Sequence, residues 1–265
     1  MLLGNGDGTF QAPLAFPAGR EPFSVAVADF DGDTIPDLVT ANVSTDDVTV
    51  LLGNGDGTFQ APLAFPAGRE PGSVVAADLD GDTFPDLVTA NNSNDVTVLL
   101  GDGDGTWLVD TSVAAGNSTR GVAVGECDGD TIPDLVTANR VSDDVTVLLG
   151  NGDGTFHVAQ AFQAGDRPWS VAVADLDGDT IPDLVTANRV SDDVTVLLGN
   201  GDGTFQAAQA FAAGNVPNSV AVADFDGDTL PDLVTANFSS NTVSVLLGNG
   251  DGTFQAAVSF AVGTA

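Results

Sequence analysis

The chain has 265 residues and carries 38 aspartates and glutamates against six arginines, no lysine and one histidine, a formal charge of −32 at neutral pH. That balance argues against nucleic acid and anionic membrane surfaces as partners, since both carry the same sign as the chain. No apolar run approaches the ~18 residues of a membrane span, the single cysteine excludes an internal disulfide, and 32 glycines with 13 prolines point to many tight turns rather than long helices.

The opening, MLLGNGDGTF, lacks the basic start and apolar centre of a secretory leader, so no signal peptide is read in this chain. Residues 1–18 read instead as a hairpin about a glycine-rich turn, and that turn recurs. GNGDGTF begins at Gly4, Gly53, Gly150, Gly199 and Gly248, with GDGDGTW at Gly101, at spacings of 49, 48, 49, 49 and 49 residues. In the first full period four strands are expected: SVAVAD (Ser24–Asp29), DLVTAN (Asp37–Asn42), DVTVLLG (Asp47–Gly53) and TFQAPLAF (Thr58–Phe65). Valine-rich segments bounded by Gly, Asp, Asn and Pro carry the strand signal, and no segment shows a helical stripe. Four antiparallel strands in about 45–50 residues is the arithmetic of a propeller blade. The expected fold is all-β: a β-propeller of four-stranded antiparallel blades forming one domain over residues 1–265. Five complete blades fall at about 24–66, 73–114, 121–163, 170–212 and 219–261, after an N-terminal half-blade hairpin at 1–18. The extra hairpin leaves open a piece of a longer array, or a five-blade ring with a spare hairpin.

An acidic loop joins the first and second strands of every blade. Its carboxylates stand at loop positions 1, 3, 5 and 9: Asp29, Asp31, Asp33 and Asp37; Asp78, Asp80, Asp82 and Asp86; Glu126, Asp128, Asp130 and Asp134; Asp175, Asp177, Asp179 and Asp183; Asp224, Asp226, Asp228 and Asp232. Position 7 (Ile35, Phe84, Ile132, Ile181, Leu230) has only a backbone carbonyl to offer. Two like charges about 5 Å apart repel by roughly 3 kcal/mol at an effective dielectric near 20. This crowding is written five times with no basic residue beside it. Oxygen donors at alternating positions of a tight loop suit a hard cation that accepts many oxygens, which is Ca²⁺, at about five sites, one per loop. Mg²⁺ demands a stricter octahedron, and Zn²⁺ would want His or Cys. These are not EF-hands: the glycine is at position 4, Thr40 stands where a glutamate would, and no flanking helix is readable. A solvated acidic turn is the alternative, against which the repeated register argues.

SVAVADFDGDTIPDLVTAN resembles the FG-GAP or VCBS repeat of integrin alpha-chain propellers and many bacterial secreted proteins, and the resemblance runs the length of the chain. It implies calcium bound by the loop between the first two strands, hence ligand roles for Asp29, Asp31, Asp33, Asp37 and their counterparts, and use outside the cell or at its surface. One loop departs from the pattern: Glu126 replaces the first aspartate and follows Gly125 rather than alanine.

Other motifs carry less chemistry. GNGDG lacks the lysine and following helix of a phosphate loop, and its period is 49 rather than nine, so it reads as a tight hairpin. Cys127 shares a slot with Phe30, Leu79, Leu176 and Phe225 and reads as core; His157 shares a slot with glutamines and reads as surface; Trp107 replaces a phenylalanine. One His and one Cys in unrelated slots make no catalytic constellation, so no enzyme is expected.

In an up-and-down blade the acidic loops and GNGDG hairpins share one face, and the second loops and blade-to-blade links share the other. The first face barely varies between copies. The second varies widely and holds all six arginines. Loops on a rigid scaffold are where binding residues sit, which makes Arg20, Phe23, Arg120, Arg140, Arg167, Trp169, Arg189 and Phe238 the candidate ligand residues. The leading reading is a calcium-binding, non-catalytic binding or adhesion module with a protein or carbohydrate ligand. A calcium-dependent lectin, an enzyme or enzyme accessory domain, and a ligand-free amplified or engineered scaffold are its rivals.

Overall fold

A computed structural model describes residues 1–263, apart from the side chains of Val109 and Asp110. Twenty strands form five sheets, each an antiparallel meander in chain order. The first blade is β1 (Pro22–Ala28), β2 (Asp37–Asn42), β3 (Asp47–Leu51) and β4 (Leu63–Pro66). The second is β5 (Pro71–Ala77), β6 (Asp86–Asn91), β7 (Asp95–Gly101) and β8 (Trp107–Ala114). The third is β9 (Thr119–Gly125), β10 (Asp134–Asn139), β11 (Asp144–Leu148) and β12 (Gln160–Gln163). The fourth is β13 (Pro168–Ala174), β14 (Asp183–Asn188), β15 (Asp193–Leu197) and β16 (Gln209–Ala212). The fifth is β17 (Pro217–Ala223), β18 (Asp232–Asn237), β19 (Thr242–Leu246) and β20 (Val258–Ala261). The chain is all-β, a propeller of five four-stranded blades with a half-blade hairpin before them. Among the described residues no helix is long and apolar enough to cross a membrane.

The second strand reads DLVTAN in every blade, and in β6, β10 and β14 all its residues are buried. Flanked by strands in its own sheet and by neighbouring blades on both faces, it loses the in–out alternation of a half-exposed strand. Its asparagine is satisfied within the blade. Asn91 donates to Asp95 at 3.0 Å and to Thr97 at 2.9 Å, and accepts from Thr89. Gly68 in the preceding link leaves room for it, since a Cβ there would lie 2.1 Å from Asn91 Nδ2.

The core lies between blades, in four clusters. The first joins Phe30, Val39 and Val48 of one blade to Val74, Leu87 and Trp107 of the next, and the others repeat it along the chain. An outer edge-to-face aromatic contact recurs too, as Phe65–Trp107, Phe162–Phe205 and Phe211–Phe254. Phe16–Phe59 is the same contact, at 4.9 Å. Leu3 lies against Gly57 as Leu52 lies against Gly105. The opening hairpin, bridged at Gly4 and Phe10, therefore sits where the outer half of a preceding blade would.

The fourth strand is shorter than the expected Thr58–Phe65 in four of the blades, where the GNGDG hairpin closes through an isolated bridge such as Gly53–Phe59. Among the described residues only β8 runs unbroken from its turn.

The first strands pack in order, β1 on β5, β5 on β9, β9 on β13 and β13 on β17. Each covers a valine of the next. Val74, Val122, Val171 and Val220 are at most 7% exposed, whereas Val25 on β1, with no first strand before it among the described residues, is 59% exposed. At the other end Phe225 is 49% exposed while its counterparts Phe30, Leu79, Cys127 and Leu176 are buried.

Candidate functional site

Each acidic loop folds by accepting its own backbone N–H groups on its carboxylates. In the fourth blade Asp175 accepts from Gly178 and Thr180 at 2.7 and 2.9 Å, Asp177 from Asp179 at 3.1 Å, and Asp179 from Ile181 at 2.8 Å. Thr180 takes φ 72°, so the loop folds back on itself. Carboxylate oxygens converge as a result. In four loops those of positions 1, 3 and 9 lie within 4.8 Å of one another: Asp78, Asp80 and Asp86; Glu126, Asp128 and Asp134; Asp175, Asp177 and Asp183; Asp224, Asp226 and Asp232. In the first loop the group is Asp29, Asp31 and Asp33. The position-5 carboxylate accepts from the N–H of position 7 in every loop (Asp33, Asp82, Asp130, Asp179, Asp228), and only Asp33 also belongs to its loop's converging group. Like charges at such separations repel by about 3 kcal/mol per pair at an effective dielectric near 20. An all-oxygen donor set with no amine or thiol fits a hard cation, and these clusters could hold a metal ion.

Position 9 has a second duty that spacing alone did not announce. Asp183 Oδ2 accepts from Leu176 N at 2.7 Å and Oδ1 from Gly199 N at 2.7 Å, so one buried carboxylate ties the acidic loop to the end of the third strand. Asp37, Asp86, Asp134 and Asp232 make the same pair of bonds. Burial pushes Asp86, Asp134 and Asp183 up to about 6, against the pull of those N–H groups. The position-7 side chains close the same joint: a Cβ at Gly53 would meet Ile35 Cγ2 at 2.8 Å, and one at Gly103 would meet Phe84 at 2.3 Å. The hairpin of the next blade completes it, since Gly203 N donates to Cys127 O at 3.0 Å and Gly252 N to Leu176 O at 3.3 Å.

Glu126 differs as its extra methylene dictates. One oxygen, Oε1, accepts from Asp128, Gly129 and Asp130, and the Thr131 N–H loses the acceptor that Thr83 and Thr180 have in Asp78 and Asp175. The GNGDG turns close on their own aspartate and threonine. Asp153 accepts from the N and Oγ1 of Thr155 at 3.0 and 2.5 Å, and this pull holds its carboxyl below the usual range. Cys127 is buried, its thiol pushed up to about 12 by that burial, and His157 is exposed.

On the opposite face the structure gathers most of the variable residues. A β-bulge interrupts the register after the first residue of β1, β5, β13 and β17, with a matching shift at β9. Bulges re-aim side chains, and here the second residues of the first strands (Phe23, Gly72, Arg120, Trp169, Asn218) all line one axial cavity of about 230 Å³. The guanidinium carbon of Arg120 lies 4.0 Å from the Phe23 ring centre and 4.7 Å from Trp169. Gly72 makes the space, since a Cβ there would meet Arg120 Nη1 at 2.7 Å. Arg189 stacks on Trp169 at 4.2 Å and lies 5.8 Å from Phe238, and Arg140 is 5.8 Å from Trp169. Arg140, Arg167 and Arg189 line an adjoining hollow of about 260 Å³ with Trp169, Val190 and Val216. Burial, then the charges of Arg140 and Arg189, push Arg120 down to about 10. Arg20 is exposed and lines neither hollow, and Arg69 pairs with its neighbour Glu70 at 3.4 Å. Sequence reading missed Gly72 and Asn218 as walls of the cavity. The signal was available, because that slot alone holds five different residues in five copies.

Models of the FG-GAP-like repeat match residues 1–40, 32–89, 78–137, 126–186, 181–235 and 224–265. No curated protein matches the sequence. Among solved structures, a Bacteroides fragilis protein named as a candidate 6-phosphogluconolactonase is similar with a TM-score of 0.74 at 16% identity, over 98% of this chain and 76% of its own. A protein from Lactobacillus plantarum gives 0.70 at 15% identity, again over 98% of this chain and 76% of its own. The biofilm matrix protein Bap1 of Vibrio cholerae gives 0.57 at 18% identity, over 91% of this chain and 40% of its own. At such identities the likeness speaks of fold alone. Repeat matches that together span the whole chain place it in a family: the protein belongs to the FG-GAP-like repeat family.

Proposed function

We propose that this propeller is a calcium-stabilised, non-catalytic binding module that works outside the cell, with its ligand face on the links and second loops. The observation that carries the reading is the convergence of three carboxylates in each of five loops. Calcium would be held by the acidic-loop carboxylates, with the backbone carbonyls of Ile35, Phe84, Ile132, Ile181 and Leu230 as further oxygens. Millimolar calcium outside cells suits loops of this openness. When bound, the ion neutralises the crowded charge and fixes each loop between two blades. The chain's own groups do the rest: position 9 anchors the loop to its third strand, and the hairpin of the next blade caps it. A carbohydrate ligand is favoured over a protein by the serines at 24, 73, 170 and 219, whose hydroxyls ring the axial cavity.

Calorimetric titration of calcium into metal-free protein tests the metal half, with about five equivalents expected, one per loop. Fewer than three would overturn it. Glycan and matrix-protein arrays with and without EDTA, beside a panel of hydrolase substrates, test the other half. Substrate turnover would overturn the non-catalytic reading. For any array ligand, Arg167→Ala with Trp169→Ala should abolish binding and Asn151→Ser in the opposite hairpin should not; the reverse result would move the ligand face.

A further inference from the structure

Four of the six arginines of a chain of charge −32 gather around one tryptophan. In the hollow of Arg140, Arg167 and Arg189 no lining residue is acidic. Among the described residues the only ion pair is Arg69–Glu70, so none of the four has a carboxylate within ion-pair distance; Asp143 and Asp166 share a neighbouring hollow with Arg140 and Arg167, and Glu70 acts on Arg120 from farther off. Arg120 and Arg189 lie over aromatic rings at 4.0 and 4.2 Å, which leaves the guanidinium edges, where the N–H donors are, for other partners. In the axial cavity on the other side of Trp169, Arg120 Nε and Asn218 Oδ1 are buried and find no hydrogen-bond partner. Ser24 and Ser170 already accept backbone N–H groups, from Val74 and Val220, which leaves their O–H groups free to donate. An unpaired buried donor and a cluster of like charges are both costly unless something answers them.

We propose that the Arg140–Arg167–Arg189 hollow binds the oxyanion, carboxylate or sulfate, of a small acidic saccharide whose hydroxyls reach the Ser and Asn218 groups of the axial cavity. Guanidinium forks match the paired oxygens of these anions. Stacking on Trp169 holds the Arg189 fork in place before the ligand arrives, which lowers the ordering cost of binding. The hollows, about 260 and 230 Å³, admit a small ligand or a chain end, and the acidity of the rest of the surface repels long polyanions. The proposal rests on the ligand face assigned above and makes no use of calcium.

The experiment uses the whole chain in calcium-containing buffer, carrying Trp107→Phe, a residue that other copies have at that slot, so that Trp169 is the only fluorophore of its kind. Emission is followed on addition of glucuronate, a sulfated disaccharide, inorganic sulfate and neutral glucose, with chloride matching ionic strength throughout. Saturable changes are expected with glucuronate or the sulfated sugar but not with glucose or chloride. Arg140→Gln with Arg189→Gln should weaken them about tenfold or more, and Arg20→Gln should not. If the double variant melts below its parent, Arg189→Gln alone is read instead. Binding by sulfate with neither sugar better than chloride would overturn the saccharide assignment. No anion effect, or one indifferent to the arginine substitutions, would overturn the site. A null result here leaves the calcium titration untouched, and a failed calcium titration leaves this one.

Discussion

On the acidic-loop face, the slot of Asp183 is aspartate in all five blades; on the link face, the slot of Trp169 is Phe, Gly, Arg, Trp and Asn. Both slots lie at ends of the same repeated hairpin. The difference follows from geometry. Asp183 and its counterparts each satisfy two backbone N–H groups inside one blade, so the same chemical demand is posed five times and has one answer. The bulge residues all meet at one axis. There is one cavity, its walls are not equivalent, and each copy can supply a different group. Repetition holds chemistry constant where the demand is internal to the repeat, and frees it where the copies converge.

The comparison breaks most visibly if the acidic face is not a metal face. We predict that EDTA lowers the melting midpoint by more than about 10 °C, since each site adds about 2.7 kcal/mol at a hundredfold excess over its dissociation constant. Scanning calorimetry of protein shown to contain calcium checks this, and an unmoved midpoint would end the claim.

Next comes the division of labour within a loop. Asp183→Ala strips acceptors from Leu176 N and Gly199 N, and should cost about 2–5 kcal/mol even without metal. Asp179→Ala, exposed and bonded only to Ile181 N, should cost under about 1 kcal/mol in the same buffer. Urea melts in EDTA compare the two, and equal losses would show that position 9 is only a ligand.

A smaller effect is expected with pH. Burial raises Asp86, Asp134 and Asp183 from 3.8 to about 6. Between those values the folded state holds protons that the unfolded chain has released, so metal-free stability falls as pH rises from about 4 to 6. Metal-free protein should therefore melt higher at pH 5 than at pH 7. Calcium needs the charged carboxylates, so its stabilisation should shrink over the same interval and the two melting curves should approach each other near pH 5.

The smallest change tests the odd loop. Glu126→Asp restores an acceptor for Thr131 N, as Asp175 provides for Thr180 N. Calcium affinity at that site should be kept or rise by a fewfold, with stoichiometry unchanged. A lost equivalent on calorimetry would show that the longer side chain was needed.

Much of this was legible without coordinates. A period of 49 residues with Val-rich segments and Asn-Gly or Asp-Gly turns determines short antiparallel strands, because alternation, turn chemistry and strand length are local properties. The acidic loops were legible for the same reason: Asp at alternate positions of one tight turn is brought close by the turn itself. Two things needed the tertiary structure. The first is that position 9 serves the fold, which depends on Gly199 N, 16 residues away, reaching Asp183 in space. The second is the arginine cluster. Arg120 and Arg140 open and close one antiparallel strand pair of the third blade, Trp169 and Arg189 the matching pair of the fourth, and Phe23 stands 97 positions before the arginine it stacks on. Spacing along the chain carries no information about such a meeting. It is set by the order in which the blades pack around the axis, and by bulges that turn one side chain per blade inward.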